Sequence, residues 1–349
     1  MRFERGKKWL GRALPPLLRH PTVGPRLLPW FVRAPKPFNA QIALTYQCQC
    51  DCVHCSAEMY RHQAQPDPET AQVRFLIRAL TRTRAYKIYF FGGEPLLRRD
   101  ILELIAFARQ CGFQTMLDTN GLLLDQAMAD RLKRAGLTEI GVSLDSADPR
   151  VHDRLRGVDG VFEKAVAGLD ACVSAGLGAY ITAYATPENL ENGDLAAILS
   201  LAEDIGVPVR ILSPVAAGKW LGEEEVKLEK KDVARLRALL RPGRVYWESV
   251  LCSSPDAPFI CFSRIRAYVY LSPWGDVQPC NFIPVSFGNV FREPIKTILR
   301  RMWSSPLFLG FEDTTDPSGC PMNDSEIGRR VARAVARGER LPLDYRRLL

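Results

Sequence analysis

The stretch Ala40-Gln-Ile-Ala-Leu-Thr45-Tyr-Gln-Cys48-Gln-Cys50-Asp-Cys52-Val-His54-Cys55 decides how the chain is read. Its first half is a short, largely apolar run of strand length, and its second half packs four cysteines into eight residues. Disulfide geometry demands fixed separations and directions, so two good bridges do not fit in so short a loop. Dense cysteines directly after a strand fit metal ligation better.

Outward from Thr45 the same rhythm repeats. Strands are expected at Ala40–Thr45, Lys87–Phe91, Gln114–Asp118, Glu139–Leu144, Ala179–Ala185 and Pro208–Leu212. Helix-period segments follow them at Glu69–Thr81, Ile101–Cys111, Asp125–Ala135, Val161–Ala175, Leu195–Ile205 and Asp232–Leu240. Gly136, Gly176 and Gly206 stand just past three of these helices, where a left-handed cap suits glycine. Six strand–helix units predict an α/β chain with a parallel sheet and right-handed crossovers, open or curved into a barrel. Functional side chains in such folds gather at the strand C-termini, which is where the cysteine loop falls. Past Pro242 the helical alternation stops, while Pro, Cys and aromatic residues become frequent. The expected division is a basic extension over 1–38, the strand–helix body over 39–242, a cysteine-rich module over 243–325 and a basic tail over 326–349. Glu326–Arg337 in that tail reads as a basic helix.

Of the 349 residues, 47% are hydrophobic and 25% charged, which is ordinary globular composition. No apolar run reaches the ~18 residues of a membrane span. Met1–Lys8 lacks the apolar core of a secretory signal, so a cytoplasmic location is expected. The net charge of +8 is concentrated at the ends: residues 1–36 carry nine Lys or Arg and one acid, and 329–349 carry seven Arg and two acids. Solvated basic termini account for this better than nucleic-acid binding. Trp9, Leu10, Leu27, Trp30 and Phe31 interleave with the N-terminal charges, a pattern that fits peripheral contact with a membrane or lipid. Pro15, Pro16, Pro21 and Pro25 argue against one long amphipathic helix there.

Cys48-x3-Cys52-x2-Cys55 can grip three irons of a four-iron cluster and leave the fourth open to a small ligand. The spacing alone also admits structural zinc, with Cys50 or His54 as the fourth ligand. Further motifs sit at later strand ends. Phe91-Gly92-Gly93-Glu94-Pro95 offers two glycines for close backbone approach and a carboxylate able to accept from an ammonium. Asp118-Thr119-Asn120-Gly121 follows the third strand and Ser143-Leu144-Asp145-Ser146 the fourth. His152-Asp153-Arg154-Leu155-Arg156-Gly157 then supplies a guanidinium, a group suited to gripping a carboxylate.

In this order the motifs resemble those of the radical S-adenosylmethionine (SAM) superfamily. The resemblance implies a partial (β/α)6 TIM-like barrel, a [4Fe-4S] cluster on Cys48, Cys52 and Cys55, and SAM chelating the free iron. It implies Gly92, Gly93 and Glu94 at the methionine amino group. It also implies Ser143 on the ribose or carboxylate with Asp145 beside it, Arg156 on the SAM carboxylate, and Asn120 among the SAM-binding residues. His54 holds a usually aromatic position, and Cys50 is an extra residue read as a partly exposed thiol. A reducing partner such as flavodoxin or ferredoxin is implied as well.

A second cysteine set follows, as Cys261-x13-Gly275-x4-Cys280 and Cys320. Tyr268–Ser272 and Asp276–Gln278 flank Pro273-Trp274-Gly275 and read as a hairpin. The region resembles a truncated SPASM or twitch extension, a small C-terminal hairpin and helix module. That implies one auxiliary [4Fe-4S] cluster on Cys261, Cys280 and Cys320. Cys252 is the fourth ligand, a hydrogen-atom donor or a buried thiol, and otherwise the fourth position is left open for a substrate or another ligand. A complete SPASM module has seven cysteines, and Cys320-Pro-Met-Asn323 lacks the expected second cysteine. Zinc is the alternative here too. Cys111 and Cys172 read as core residues, and Tyr180, Tyr184 and Arg210 on the late strands are placed toward the cavity.

The expected activity is reductive cleavage of SAM to a 5′-deoxyadenosyl radical, then hydrogen abstraction from a small molecule (sugar, nucleoside or lipid-linked). About 38 residues precede the first strand, too few for an N-terminal peptide-recognition domain, which favours the small molecule over a peptide or protein substrate. Oxidation, epimerisation, decarboxylation and carbon–carbon bond formation all stay open. The rival from a different class is a non-catalytic zinc protein that binds nucleic acid.

Overall fold

A computed structural model describes residues 37–61, 63, 65–223, 225–248, 261–309, 319–324 and 326–348. Cys252 and the basic stretch over 1–36 lie outside the described residues. β1 (Asn39–Thr45), β2 (Lys87–Gly92), β3 (Gln114–Thr119), β4 (Glu139–Ser143), β5 (Gly178–Tyr184) and β6 (Val209–Leu212) fall within one residue of the expected strands at each end. All pair in parallel with their neighbours in sequence order, as the βαβ rhythm requires. The fold is α/β, a partial TIM-like barrel.

Burial explains the sheet. Six of the seven β1 residues are buried, the mark of a strand covered on both faces. One row of side chains, including Ile42, Leu44, Ile88, Phe90, Leu117 and Ile140, is fully buried in the core shared with the helices. Each such side chain contributes about 1.5–3 kcal/mol by leaving water. The alternate row, with Gln41, Asp118, Thr182 and Arg210, is polar and lines cavities in the barrel lumen.

The helices Thr70–Leu80, Ile101–Gln110, Gln126–Ala135, Val161–Ser174, Asp194–Ile205 and Lys230–Leu239 match the expected segments. The Gln126–Ala135 helix shows why its ends are legible: Asp125 accepts from the Met128 N–H, and Gly136 turns the chain at φ 95°. An extra helix, Pro149–Arg156, follows β4, capped by Asp148 and stopped by Gly157 at φ 69°.

The sheet runs on past residue 242. β7 (Val245–Trp247) pairs in parallel with β6, and β8 (Tyr268–Leu271) pairs in parallel with β1 on the side away from β2. β9 (Val277–Gln278) returns antiparallel to β8 through Gly275 at φ 86°, giving the expected hairpin. The cysteine-rich segment is thus stitched into the barrel sheet. Beyond it come helix Ile295–Ser304, helix Glu326–Ala336, and a short parallel pair of β10 (Val285–Ser286) with β11 (Leu343–Asp344). Among the described residues no helix is long and apolar enough to cross a membrane.

Candidate active site

The loop after β1 is pinned from three sides. Asp51 and Val53 donate their N–H groups to the carbonyls of Arg156 and Leu155, both at 3.0 Å, so the loop docks on the end of helix Pro149–Arg156. Lys219 N–H donates to the Cys55 carbonyl at 3.1 Å from the turn Gly218–Trp220. From β2, Gly93 N–H donates to Thr45 O and Glu94 N–H to Gln47 O, both at 2.8 Å. Gly92 (φ 138°) and Gly93 lie so close to this loop that a Cβ on either would fall inside 3.0 Å of Thr45 or Gln47 backbone atoms. The glycine pair makes room for the loop carrying Cys48.

Two of the sulfurs have polar company. Asn120 Nδ2 is 3.7 Å from Cys48 Sγ, Cys50 N–H reaches the same sulfur at 3.4 Å, and Arg156 Nη1 lies 3.7 Å from Cys52 Sγ. Cys50 is 1% exposed, not partly exposed as expected. Its thiol hydrogen-bonds to both Cys48 and Cys52, pulling those two below the ordinary thiol range, against burial. Cys50 itself is pushed up by the same two bonds and by burial. Burial raises Cys55.

Behind the sulfurs, Arg156 Nη2 pairs with Asp145 Oδ2 at 2.6 Å, and His54 Nε2 approaches the same oxygen at 3.4 Å. Burial alone would raise Asp145; Arg156, then His54 and His152, hold it below its ordinary value. His152 accepts from the Asp145 N–H on Nδ1 at 3.1 Å, and burial followed by Arg156 lowers its pKa to about 4. The neutral ring there carries its proton on Nε2.

Cys48, Cys52, Cys55, Gly92, Gly93, Asn120, Ser143, Asp145 and Arg156 come together around one cavity. Glu94 does not line it. That side chain is fully buried, with Oε1 accepting from Leu96 N and Thr119 Oγ1, both at 2.9 Å, and Oε2 from Asn120 N at 2.8 Å. Burial pushes Glu94 up to about 7 against these donors. The carboxylate read as a ligand group clamps the end of β2 to the end of β3.

Cys261, Cys280 and Cys320 line a second cavity, whose wall includes Phe91, Asp118, Tyr184, Arg210 and Leu212 from the first. Ser263 Oγ donates to Pro279 O at 2.9 Å and ties the Cys261 turn to the Cys280 turn. Burial raises both thiols, Cys280 to about 12. Asn323, where a second cysteine was expected, accepts from Ala216 N at 2.9 Å and donates to Pro214 O at 3.2 Å. It anchors the Cys320 turn to the segment after β6.

Sequence motifs did not reveal Trp220, whose ring lies 5.5 Å from His54 and 5.2 Å from Tyr184. Its only signal was Gly218, which at φ 61° lets the turn lie on the Cys55 carbonyl. Thr182 and Gln41 were also missed, being ordinary strand residues by type. Three cysteines on one loop, two of them held toward thiolate, and a glycine-lined cradle suit a three-cysteine iron–sulfur cluster.

Residues 42–199 match the radical SAM superfamily. The chain is 27% identical over 330 residues to an AdoMet-dependent heme synthase of Nitratidesulfovibrio vulgaris, covering 86% of this chain and 88% of the relative. It is 26% identical over 318 residues to a PqqA peptide cyclase of Xanthomonas oryzae pv. oryzae, covering 87% and 85%. The fold resembles Streptococcus suis SuiB bound to precursor peptide SuiA, with a TM-score of 0.62 at 17% identity over 80% of this chain and 67% of that one. With the strand-end motifs gathered on one rim of the barrel, residues 42–199 form a radical SAM domain.

Proposed function

We propose that the chain cleaves SAM at the Cys48–Cys52–Cys55 loop and takes a hydrogen atom from an organic substrate in the adjoining cavity. The observation that carries this is the shared wall: the cavity of the first cysteine set and that of the second meet at Phe91, Asp118, Tyr184, Arg210 and Leu212. Cys48, Cys52 and Cys55 would hold a four-iron cluster, which when bound would supply the electron for reductive cleavage of SAM. In this reading Arg156, oriented by Asp145, receives the SAM carboxylate, a role supported by their 2.6 Å pair at the cavity that Asn120, Ser143, Gly92 and Gly93 also line. Glu94 acts indirectly, by fixing the two strand ends. One auxiliary [4Fe-4S] cluster on Cys261, Cys280 and Cys320 in the 243–325 module completes the site, and a flavodoxin or ferredoxin supplies electrons.

The names of the relatives speak of heme synthesis and peptide cyclisation, and neither supports the sugar, nucleoside or lipid-linked substrate expected from the short N-terminal stretch. We therefore take the substrate from those two classes. Perdeuterated candidates of each class, incubated with reconstituted enzyme, SAM and dithionite, test the reading. Deuterium in the 5′-deoxyadenosine identifies the class, and SAM cleavage with no transfer from either refutes the assignment.

A further inference from the structure

Arg210 on β6 lines both cavities and is 6% exposed. Its Nη2 donates to Asp118 Oδ2 at 2.7 Å and to Thr182 Oγ1 at 3.0 Å. Its guanidinium lies over the Tyr180 ring, 4.9 Å from the centroid, and Tyr180 donates to the other Asp118 oxygen at 2.9 Å. Gly141 gives this group its space, since a Cβ there would fall 2.8 Å from Tyr180 Cζ. A guanidinium has five N–H donors, and both bonds here leave from one nitrogen. Arg210 Nε is buried with no hydrogen-bond partner. A buried donor left unpaired is costly, so a ligand that brings an acceptor to this N–H is favoured.

The rest of the wall narrows that chemistry. Phe91, Leu212, Phe262 and Phe282 are apolar, and Glu248 adds a carboxyl near Asp118. A dianion would bring two negative charges beside Asp118 and Glu248, whereas a single carboxylate brings one and can accept from the unpaired Arg210 Nε–H. We propose that Arg210 anchors the substrate through a carboxylate, with the substrate's apolar part lying along the wall toward Cys261 and Cys280. This rests on the reading that the substrate occupies the shared cavity.

The test uses anaerobically reconstituted enzyme and a matched pair of probes, hexanoate and hexanamide. Hexanoate is expected to raise the thermal midpoint at concentrations where hexanamide does not. Arg210→Lys keeps the charge but loses the planar fork, and is expected to weaken hexanoate about tenfold, the equivalent of 1.4 kcal/mol. Equal shifts by acid and amide, or an unchanged hexanoate response in Arg210→Lys, overturns the proposal. If the variant does not fold, the acid–amide comparison on the unaltered protein decides alone. Two more pairs name the source: hemin against its dimethyl ester, and acetyl-glutamate amide against acetyl-glutamine amide, the larger preference marking the class. Deoxyadenosine formation from SAM is measured on the same preparation. Its absence beside an intact acid preference strikes the proposed function and leaves the anchor standing; the reverse strikes only the anchor.

Discussion

Gly93→Ala tests how tightly the glycine pair governs the cysteine loop. A Cβ at this position falls 2.7 Å from Gln47 C and 2.8 Å from Tyr46 C, and nearer still to Gln47 O. These are backbone atoms, so no rotamer change relieves the contact, and the two strand ends must part by several tenths of an ångström. That movement strains the Gly93–Thr45 and Glu94–Gln47 hydrogen bonds, each 2.8 Å long and each worth about 1 kcal/mol net. With the steric strain added, the cost comes to about 2–4 kcal/mol. The displaced residue, Gln47, immediately precedes Cys48, so the loss should reach the cluster as well as the fold. Urea midpoint and iron per chain, measured together after anaerobic reconstitution, should both fall. A variant with the iron content and midpoint of the unaltered protein would refute the tight-cradle account.

Three further expectations follow from the buried groups. Asp145→Asn strips Arg156 of its partner at 2.6 Å and leaves a buried guanidinium, so stability should drop by about 3–5 kcal/mol in urea titration; a shift under 1 kcal/mol would contradict the pairing. His152 has a folded pKa near 4 against an ordinary 6.5, so the unfolded chain takes up its proton first as pH falls. Stability should therefore be full above pH 6.5 and decline by about 3 kcal/mol toward pH 4, and His152→Gln should flatten that limb; identical pH slopes for both proteins would count against it. Asn323→Ala removes two hydrogen bonds holding the Cys320 turn and should lower iron content toward about four per chain while SAM cleavage persists, and retention of about eight irons would exclude that role.

The strand–helix body was readable because each strand is a short run with an apolar row and several helices end on a left-handed glycine, signals that depend only on local chain chemistry. β7 escaped because three residues, Val245–Trp247, are too few to show a period. The parallel seat of β8 beside β1 escaped because pairing across more than two hundred residues leaves no local trace. Helix Pro149–Arg156 buries only His152 and Arg156, both polar by type, so no apolar stripe announced it. At the site, the glycines, Asn120, Ser143 and Arg156 were visible as strand-end motifs. The direction of Glu94 was not, since type and position are the same whether a carboxylate faces a ligand or caps its own strand. Cys50 was misjudged for a similar reason: alternation in a loop does not tell inside from outside.

The most direct test of the central claim compares the unaltered chain with Cys52→Ser after identical anaerobic iron and sulfide reconstitution. SAM and dithionite are added, and 5′-deoxyadenosine is counted. The account predicts steady deoxyadenosine formation by the brown unaltered protein, and none by the variant, with about four fewer irons per chain. Equal deoxyadenosine from both proteins, or a colourless unaltered protein that keeps zinc instead of iron, would contradict it.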